Sequence, residues 1–123
     1  MHRSRLAGFI IDCQGTDLDG AARFWSGALG WKEVGREGDL YERLDASARD
    51  IHVEVQRVDH PSRVHLDIEA DDIEAEVRRL ETLGAKRIAQ VHTWWVVEAP
   101  TGHRFCVVCK SSPGFDAQAN EWR

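Results

Sequence analysis

Polar side chains recur at every second position in two segments of this sequence. The first segment carries His65, Asp67 and Glu69, with Leu66 and Ile68 between them. Residues two apart on a strand share a face, so we expect the three polar side chains on one side of a sheet and Leu66 and Ile68 buried beneath helices on the other. An imidazole beside carboxylates can move protons or hold a metal ion.

The second segment has the same alternation with fewer polar groups. His52 and Glu54 share one face of a predicted strand, and the other face is apolar, with Ile51, Val53 and Val55. Either His52 or Glu54 could point into a site and supply a ligand. The pattern does not decide between them.

The two segments belong to an internal repeat. In the first copy Asp12 is followed by Asp17-Leu18 and Leu29-Gly30, and in the second copy Asp67 is followed by Asp72-Ile73 and Leu83-Gly84. The two copies are offset by 55 residues at the aspartates and by 54 at the Leu-Gly pairs. A repeated supersecondary unit predicts a site where the copies meet. Asp12 and Asp67 hold equivalent places, and two converging carboxylates could perform acid–base chemistry. We favour the alternative, in which each carboxylate caps a helix entry or pairs with a nearby arginine.

Each copy of the repeat must position these residues with one helix and four strands. Apolar residues at helical spacing predict helices over Leu18–Leu29 and Ile73–Leu83, ended by Gly30 and Gly84. Thr16 with Asp19 and Asp71 with Glu74 are the predicted capping pairs. Strand-like runs cover Leu6–Cys13, Trp31–Gly35, Asp39–Asp45, Asp50–Gln56, Arg63–Glu69, Lys86–Val91, Trp94–Glu98 and Arg104–Cys109.

Composition excludes several classes of protein. The chain has 123 residues and a net charge of −5, which indicates one domain over 1–123 and argues against a nucleic-acid groove. No apolar run approaches the roughly 20 residues of a membrane helix, and no signal peptide is recognised. Three cysteines do not make a disulfide framework, so we expect a protein of the reducing cytoplasm.

Several motifs carry a resemblance to a known family. They are Asp17-Leu18 through Phe24-Trp25, Leu29-Gly30-Trp31, Val64-His65-Leu66-Asp67, Asp71-Asp72-Ile73, Leu83-Gly84 and Ala99-Pro100-Thr101-Gly102-His103-Arg104-Phe105-Cys106-Val107-Val108. Over roughly residues 6–109 the chain resembles the glyoxalase/bleomycin resistance/dioxygenase (vicinal oxygen chelate) superfamily, in particular its small glyoxalase-like branch. The resemblance implies an α+β fold in which two βαβββ modules form a cupped, mostly antiparallel sheet with helices on the outer face. Module one would be 6–56, the connector 57–62, module two 63–109 and the tail 110–123.

The resemblance also implies where a metal would bind, on the first and last strands of each module. His65 matches the family's histidine, but the first-strand position falls near Phe9 or Ile10, and Cys106 stands where a glutamate is usual. The remaining candidate metal ligands are His65, Cys106 and either His52 or Glu54. If a metal binds, we take Glu54 as the third ligand. Such mixed ligands would suit zinc, with iron, manganese and nickel as further divalent ions. We favour no metal, because only part of the family's ligand set is present.

The favoured function is binding of a small organic molecule in the cup without the family's usual metal site. Trp94 and Trp95 must face opposite sides of their strand, one under a helix and the other in the cup. The alternatives are a divalent-metal-dependent lyase, isomerase or dioxygenase that uses His65, and a protein–protein module without a ligand. Enzymatic activity and the ligand's identity stay open. By resemblance we expect a homodimer, with Phe115 and Trp122 as exposed aromatic contacts on a polar tail.

Overall fold

The computed structural model describes residues 1–123. The elements in chain order are β1 (His2–Gln14), α1 (Leu18–Leu29), β2 (Glu33–Glu37), β3 (Tyr41–Leu44), a 3-10 turn (Ser47–Arg49), β4 (His52–Val58), β5 (Arg63–Ala70), α2 (Ile73–Thr82), β6 (Lys86–Val91), β7 (Trp94–Glu98), β8 (Arg104–Cys109), α3 (Phe115–Gln118) and β9 (Asn120–Trp122). None of the helices combines the length and the apolar composition that a membrane span requires. Two compact units divide the chain: a first unit, Gly8–Val64, and a second unit, Met1–Ala7 with His65–Arg123.

In the first unit the hydrogen-bonded strand order is β2-β3-β4-β1. β4 lies antiparallel to β3 and parallel to β1, in a register that runs from Gly8↔His52 to Gln14↔Val58. Gly8 permits this approach, because a Cβ there would collide with the His52 carbonyl oxygen. Helix α1 closes a buried cluster of Leu18, Leu44, Ala46, Val53 and Val55.

In the second unit the strand order is β5-β8-β7-β6. β5 and β8 are parallel from Asp67↔Cys106 to Ala70↔Cys109, and β7 is antiparallel to both of its neighbours. Helix α2 packs over a buried cluster, the α2 cluster, formed by Ala70, Val77, Leu80, Val97 and Val107. The strand β9 is antiparallel to the beginning of β1, at His2–Ser4.

The predicted α+β fold is confirmed. Each copy of the repeat gives strand, helix and three strands, and most strand pairs are antiparallel. The bounds of α1, β6, β7 and β8 agree with the sequence prediction, because glycine, proline or polar turn residues bracket those elements. The second strand is displaced by two residues, to Glu33–Glu37 instead of Trp31–Gly35.

The helix caps differ from the predicted ones. The side chain of Asp17 accepts the backbone N–H of Gly20 at 2.8 Å, and Asp72 accepts that of Ala75 at 3.0 Å. Each aspartate immediately precedes the first helical residue, where its carboxylate reaches the free N–H groups of the first turn. The predicted capping pairs that begin at Thr16 and Asp71 are therefore wrong by one residue.

The expectation of exposed aromatic residues in the tail is also wrong. Phe115 is only 2% exposed. The Trp122 indole N–H donates a hydrogen bond to Ser4 Oγ at 2.9 Å, and the Arg79 guanidinium lies 3.8 Å from its ring centroid. The tail therefore uses both aromatics for packing within the chain, and they no longer argue for a dimer.

The prediction that Leu66 is buried beneath a helix is wrong as well. Leu66 is 51% exposed, although Ile68, two residues further along β5, packs against the α2 cluster. Alternation places both residues on the same face of the strand, but the cluster reaches only Ile68 and Ala70. The beginning of β5 therefore extends beyond the surface that α2 covers.

Candidate functional site

Strand β5 places His65 and Asp67 on one face by simple alternation. Both side chains are largely buried, with exposed fractions of 14% and 13%, and His65 Nε2 lies 3.6 Å from Asp67 Oδ1. Cys106 joins them because the parallel register sets it directly beside Asp67. One ligand atom from each of the three residues lies within 4.8 Å of the other two. We call this group the His65 cluster.

The face that carries the His65 cluster continues onto β7. Val96 pairs with Cys106, and Trp94 lies two residues from Val96 on the same side of the strand. Trp94 also contacts the ring of His92, with 5.4 Å between the centroids. The β5–β8–β7 face therefore combines ionisable groups with an aromatic side chain.

Trp95, the other aromatic candidate, faces the opposite side. It packs against the α2 cluster, and the Arg87 guanidinium lies 4.9 Å from its ring centroid. Arg87 in turn binds Glu74 at 2.8 Å and Glu81 at 3.1 Å, and these hydrogen bonds raise the pKa of Arg87 above its usual range. The role of Trp95 is therefore packing beneath α2.

Glu69, the third residue of the alternating series, has a separate task. Its side chain is fully buried, and Oε1 accepts the backbone N–H groups of Ser111 at 2.8 Å and Ser112 at 3.0 Å. Its other oxygen lies 3.5 Å from Arg5 Nε. The carboxylate therefore secures the start of the tail.

His52, Glu54 and Asp12 belong to the first unit. His52 Nε2 and Glu54 Oε1 form a hydrogen bond on one face of β4, and the second oxygen of Glu54 is buried without a hydrogen-bond partner. Asp12 is 2% exposed, and its Oδ2 lies 3.8 Å from Arg63 Nε. That pairing with a nearby arginine is the structural role that the sequence favoured for Asp12.

The donor atoms of the His65 cluster fit a zinc ion. Catalytic zinc sites commonly have three protein ligands and an open position, with bonds of about 2.0–2.3 Å, so tetrahedral ligands lie roughly 3.3–3.8 Å apart. The separation of 3.6 Å between His65 Nε2 and Asp67 Oδ1 is already in that range. The ligand atoms of all three residues lie within 4.8 Å of one another, a bound that includes this range. Asp67 is therefore a further candidate ligand beside His65 and Cys106.

Sequence reasoning missed a buried polar group on α2. Glu76 has no exposed surface and binds His2 Nε2 at 2.8 Å, Ser4 Oγ at 2.7 Å and the Arg79 guanidinium at 2.8 and 2.9 Å. Burial alone would raise the pKa of Glu76, but these hydrogen bonds together lower it. A signal was present, since Glu76 lies three residues after Ile73 and beside Val77 in the buried stripe of the helix.

The two repeats, each a strand, a helix and three strands, place the chain in the α+β class. The family model for the glyoxalase-like domain matches residues 8–108, and the chain belongs to this family. A comparison with curated proteins finds no match.

Solved structures share the fold at low sequence identity. Methylmalonyl-CoA epimerase from Mycobacterium tuberculosis superposes with a TM-score of 0.63 at 16% identity, over 91% of this chain and 93% of that chain. A mutant of 4-hydroxymandelate synthase from Streptomyces coelicolor gives 0.61 at 14% identity, over 89% of this chain and 50% of that chain. A glyoxalase/bleomycin resistance protein/dioxygenase superfamily member from Vibrio splendidus gives 0.54 at 18% identity, over 87% and 99%.

Proposed function

We propose that this chain binds a small, oxygen-bearing organic molecule on the β5–β8–β7 face. The observation that carries the proposal is the His65 cluster, three chemically reactive side chains gathered within 4.8 Å. A few convergent polar groups beside an aromatic wall are typical of small-molecule sites.

The side chains on the β5–β8–β7 face indicate what kind of ligand would bind there. His65 and Asp67 offer a hydrogen-bond donor and acceptors to hydroxyl or carbonyl oxygens, while Trp94 and Val96 offer apolar contact. The names of two structural neighbours, an epimerase and a synthase, support a small-molecule role without identifying the ligand. The cysteines Cys13, Cys106 and Cys109 are all free, which supports a place in the reducing cytoplasm.

The second candidate function is that of a zinc-dependent lyase, isomerase or dioxygenase. Its support is the match between the 3.6 Å separation of His65 Nε2 and Asp67 Oδ1 and the spacing of tetrahedral ligands. A bound divalent ion would polarise an oxygen of the substrate. His65, Asp67 and Cys106 would hold the ion through nitrogen, oxygen and sulfur, a donor set that suits zinc better than magnesium or calcium.

One pair of measurements separates the two candidates. Zinc is titrated into chelator-treated protein, and small oxygen-bearing fragments are screened by NMR in the presence of chelator. Zinc binding that is lost in Cys106→Ser and retained in the control Cys109→Ser, an exposed thiol on the same strand, supports the metal-dependent function. Fragment binding without metal that shifts the His65 and Asp67 amides, and is lost in His65→Ala, supports the first. If neither ligand perturbs β5, both proposals fail.

A further inference from the structure

The three free cysteines of the chain lie in three different environments. The thiol of Cys13 donates a hydrogen bond to the Ile11 backbone oxygen at 3.6 Å, and burial, followed by the negative charge of Asp12, raises the pKa of this thiol above its ordinary value. Cys109 is exposed at the end of β8. Cys106 alone shares a cluster with an imidazole and a carboxylate, within 4.8 Å, and it is partly accessible to solvent. An accessible thiol beside an imidazole has the surroundings of a reactive cysteine.

The His65 cluster contains the three groups that a nucleophilic site requires. A thiol becomes an effective nucleophile when a neighbouring base accepts its proton and a third group orients that base. His65 is the base, and Asp67 Oδ1, 3.6 Å from His65 Nε2, lies close enough to stabilise the imidazolium that forms. The register between β5 and β8 fixes Cys106 beside Asp67. The three groups are therefore held together by paired strands and not by loops.

The strands around Cys106 favour an addition reaction over acyl transfer. Acyl transfer requires hydrogen-bond donors for the negative oxygen of its tetrahedral intermediate, and backbone N–H groups commonly supply them. Cys106 lies within β8, paired with Asp67 of β5 and with Val96 of β7, so the backbone N–H groups beside the thiol are used in the sheet. Conjugate addition spreads the negative charge over an enolate and expels no leaving group. A single proton donor beside the sulfur is then sufficient.

We propose that Cys106 forms a covalent adduct with a small α,β-unsaturated carbonyl compound bound on the β5–β8–β7 face. This chemistry rests on the proposed function, because the face must first bind the molecule. His65 accepts the thiol proton, Sγ forms a bond to the β-carbon, and the electron pair of the double bond moves to the α-carbon. The imidazolium of His65 then returns the proton to the α-carbon, so S–H is added across the double bond and no other reactant is consumed. Trp94, on the same face, offers a planar surface to the conjugated ligand.

The test is modification of the full chain by N-ethylmaleimide in the presence of chelator, with the rate at each cysteine measured by mass spectrometry and peptide fragmentation. Cys106 should react faster than Cys109, although Cys109 is the more exposed thiol. His65→Ala should slow the reaction of Cys106 about tenfold or more, because a positioned base typically contributes about 10²–10⁴-fold. Asp67→Asn should slow it to a smaller extent, because the base remains and only the charge beside it is lost.

Cys109, on the same strand, is the internal control, because opening of β8 in a variant would accelerate its reaction whereas loss of the base slows only Cys106. A wild-type Cys106 that reacts no faster than Cys109 would overturn the proposal, and fragments that still bind at β5 would leave the proposed function standing. An unchanged Cys106 rate in His65→Ala would overturn the role of His65. Acetylation of Cys106 by phenyl acetate as fast as the addition of N-ethylmaleimide would overturn conjugate addition in favour of acyl transfer.

Discussion

The buried carboxylate of Glu76 should be a main stabilising group of the second unit, and Glu76→Gln tests this. The substitution keeps the volume of the side chain and removes its charge. In the wild type the two oxygens accept four hydrogen bonds, from His2, Ser4 and two nitrogens of Arg79, at 2.7–2.9 Å. A glutamine has one acceptor oxygen, and its amide N–H groups would face donors at the other position.

The expected loss follows from these contacts. Hydrogen bonds to a charged group contribute about 1.5–3 kcal/mol each and neutral ones about 0.5–1.5 kcal/mol, and they do not add within one network. Removing one member of a buried charged pair typically costs about 3–5 kcal/mol. Because glutamine still satisfies part of the network, we expect Glu76→Gln to lower the free energy of unfolding by about 2–4 kcal/mol.

Urea denaturation followed by circular dichroism measures this change. The matched control is Glu74→Gln on the same helix, which removes a carboxylate that is 51% exposed and binds Arg87. An exposed ion pair contributes at most about 1 kcal/mol, so the control should change stability far less. Equal effects of the two substitutions would show that desolvation of Glu76 cancels its hydrogen bonds, and the argument from burial would be refuted.

Four further expectations follow from the same contacts. Folding lowers the pKa of Glu76, so the contribution of its carboxylate to the free energy of unfolding is complete above the ordinary glutamate pKa and is lost as the pH falls through the lower folded value. When the pH is lowered from about 7 to about 3, the urea midpoint should therefore fall less steeply in Glu76→Gln than in the wild type. Leu80→Ala, at a position 8% exposed, should lower the free energy of unfolding by about 2–5 kcal/mol, whereas Leu66→Ala should cost less than about 1 kcal/mol by the same urea assay. Trp122→Phe keeps an aromatic ring and removes the hydrogen bond to Ser4, so we expect a loss of about 0.5–1.5 kcal/mol, and an unchanged midpoint would contradict the observed contact. The homodimer stays a prediction from family resemblance, and light scattering should give twice the 14.0 kDa chain mass if it is correct.

Local patterns predicted most elements because each is bounded by a strong local signal. Gly30 adopts a left-handed conformation, with φ of 75°, at the end of α1, and the turn at Pro100 to Gly102 separates β7 from β8. The caps were misplaced because neighbouring polar residues, Thr16 and Asp17, compete for one position. Sequence alone does not show which of them immediately precedes the first helical residue.

Long-range contacts explain what local patterns could not predict. The sequence analysis assigns no strand to the polar tail, yet β9 pairs with the beginning of β1, more than a hundred residues away in sequence. Phe115 and Trp122 are covered by residues of that distant partner and of α2, including Arg3 and Arg79. Leu66 was misassigned for a related reason, because alternation gives the face of a residue but not the extent of the helix above it.

The His65 cluster depends on the register between β5 and β8, and apolar packing on the opposite face of the sheet sets that register. Alternation alone placed His65 and Asp67 together, but Cys106 joins them only because β5 and β8 pair with Asp67 opposite Cys106. In the same register Ile68 lies opposite Val107, which is fully buried in the α2 cluster. A slip of one residue would set Phe105 or Val107 beside Asp67 and would turn the thiol away. Apolar packing beneath α2 therefore determines which ligand atoms meet on the opposite face, and a core substitution there should disturb the site without touching it.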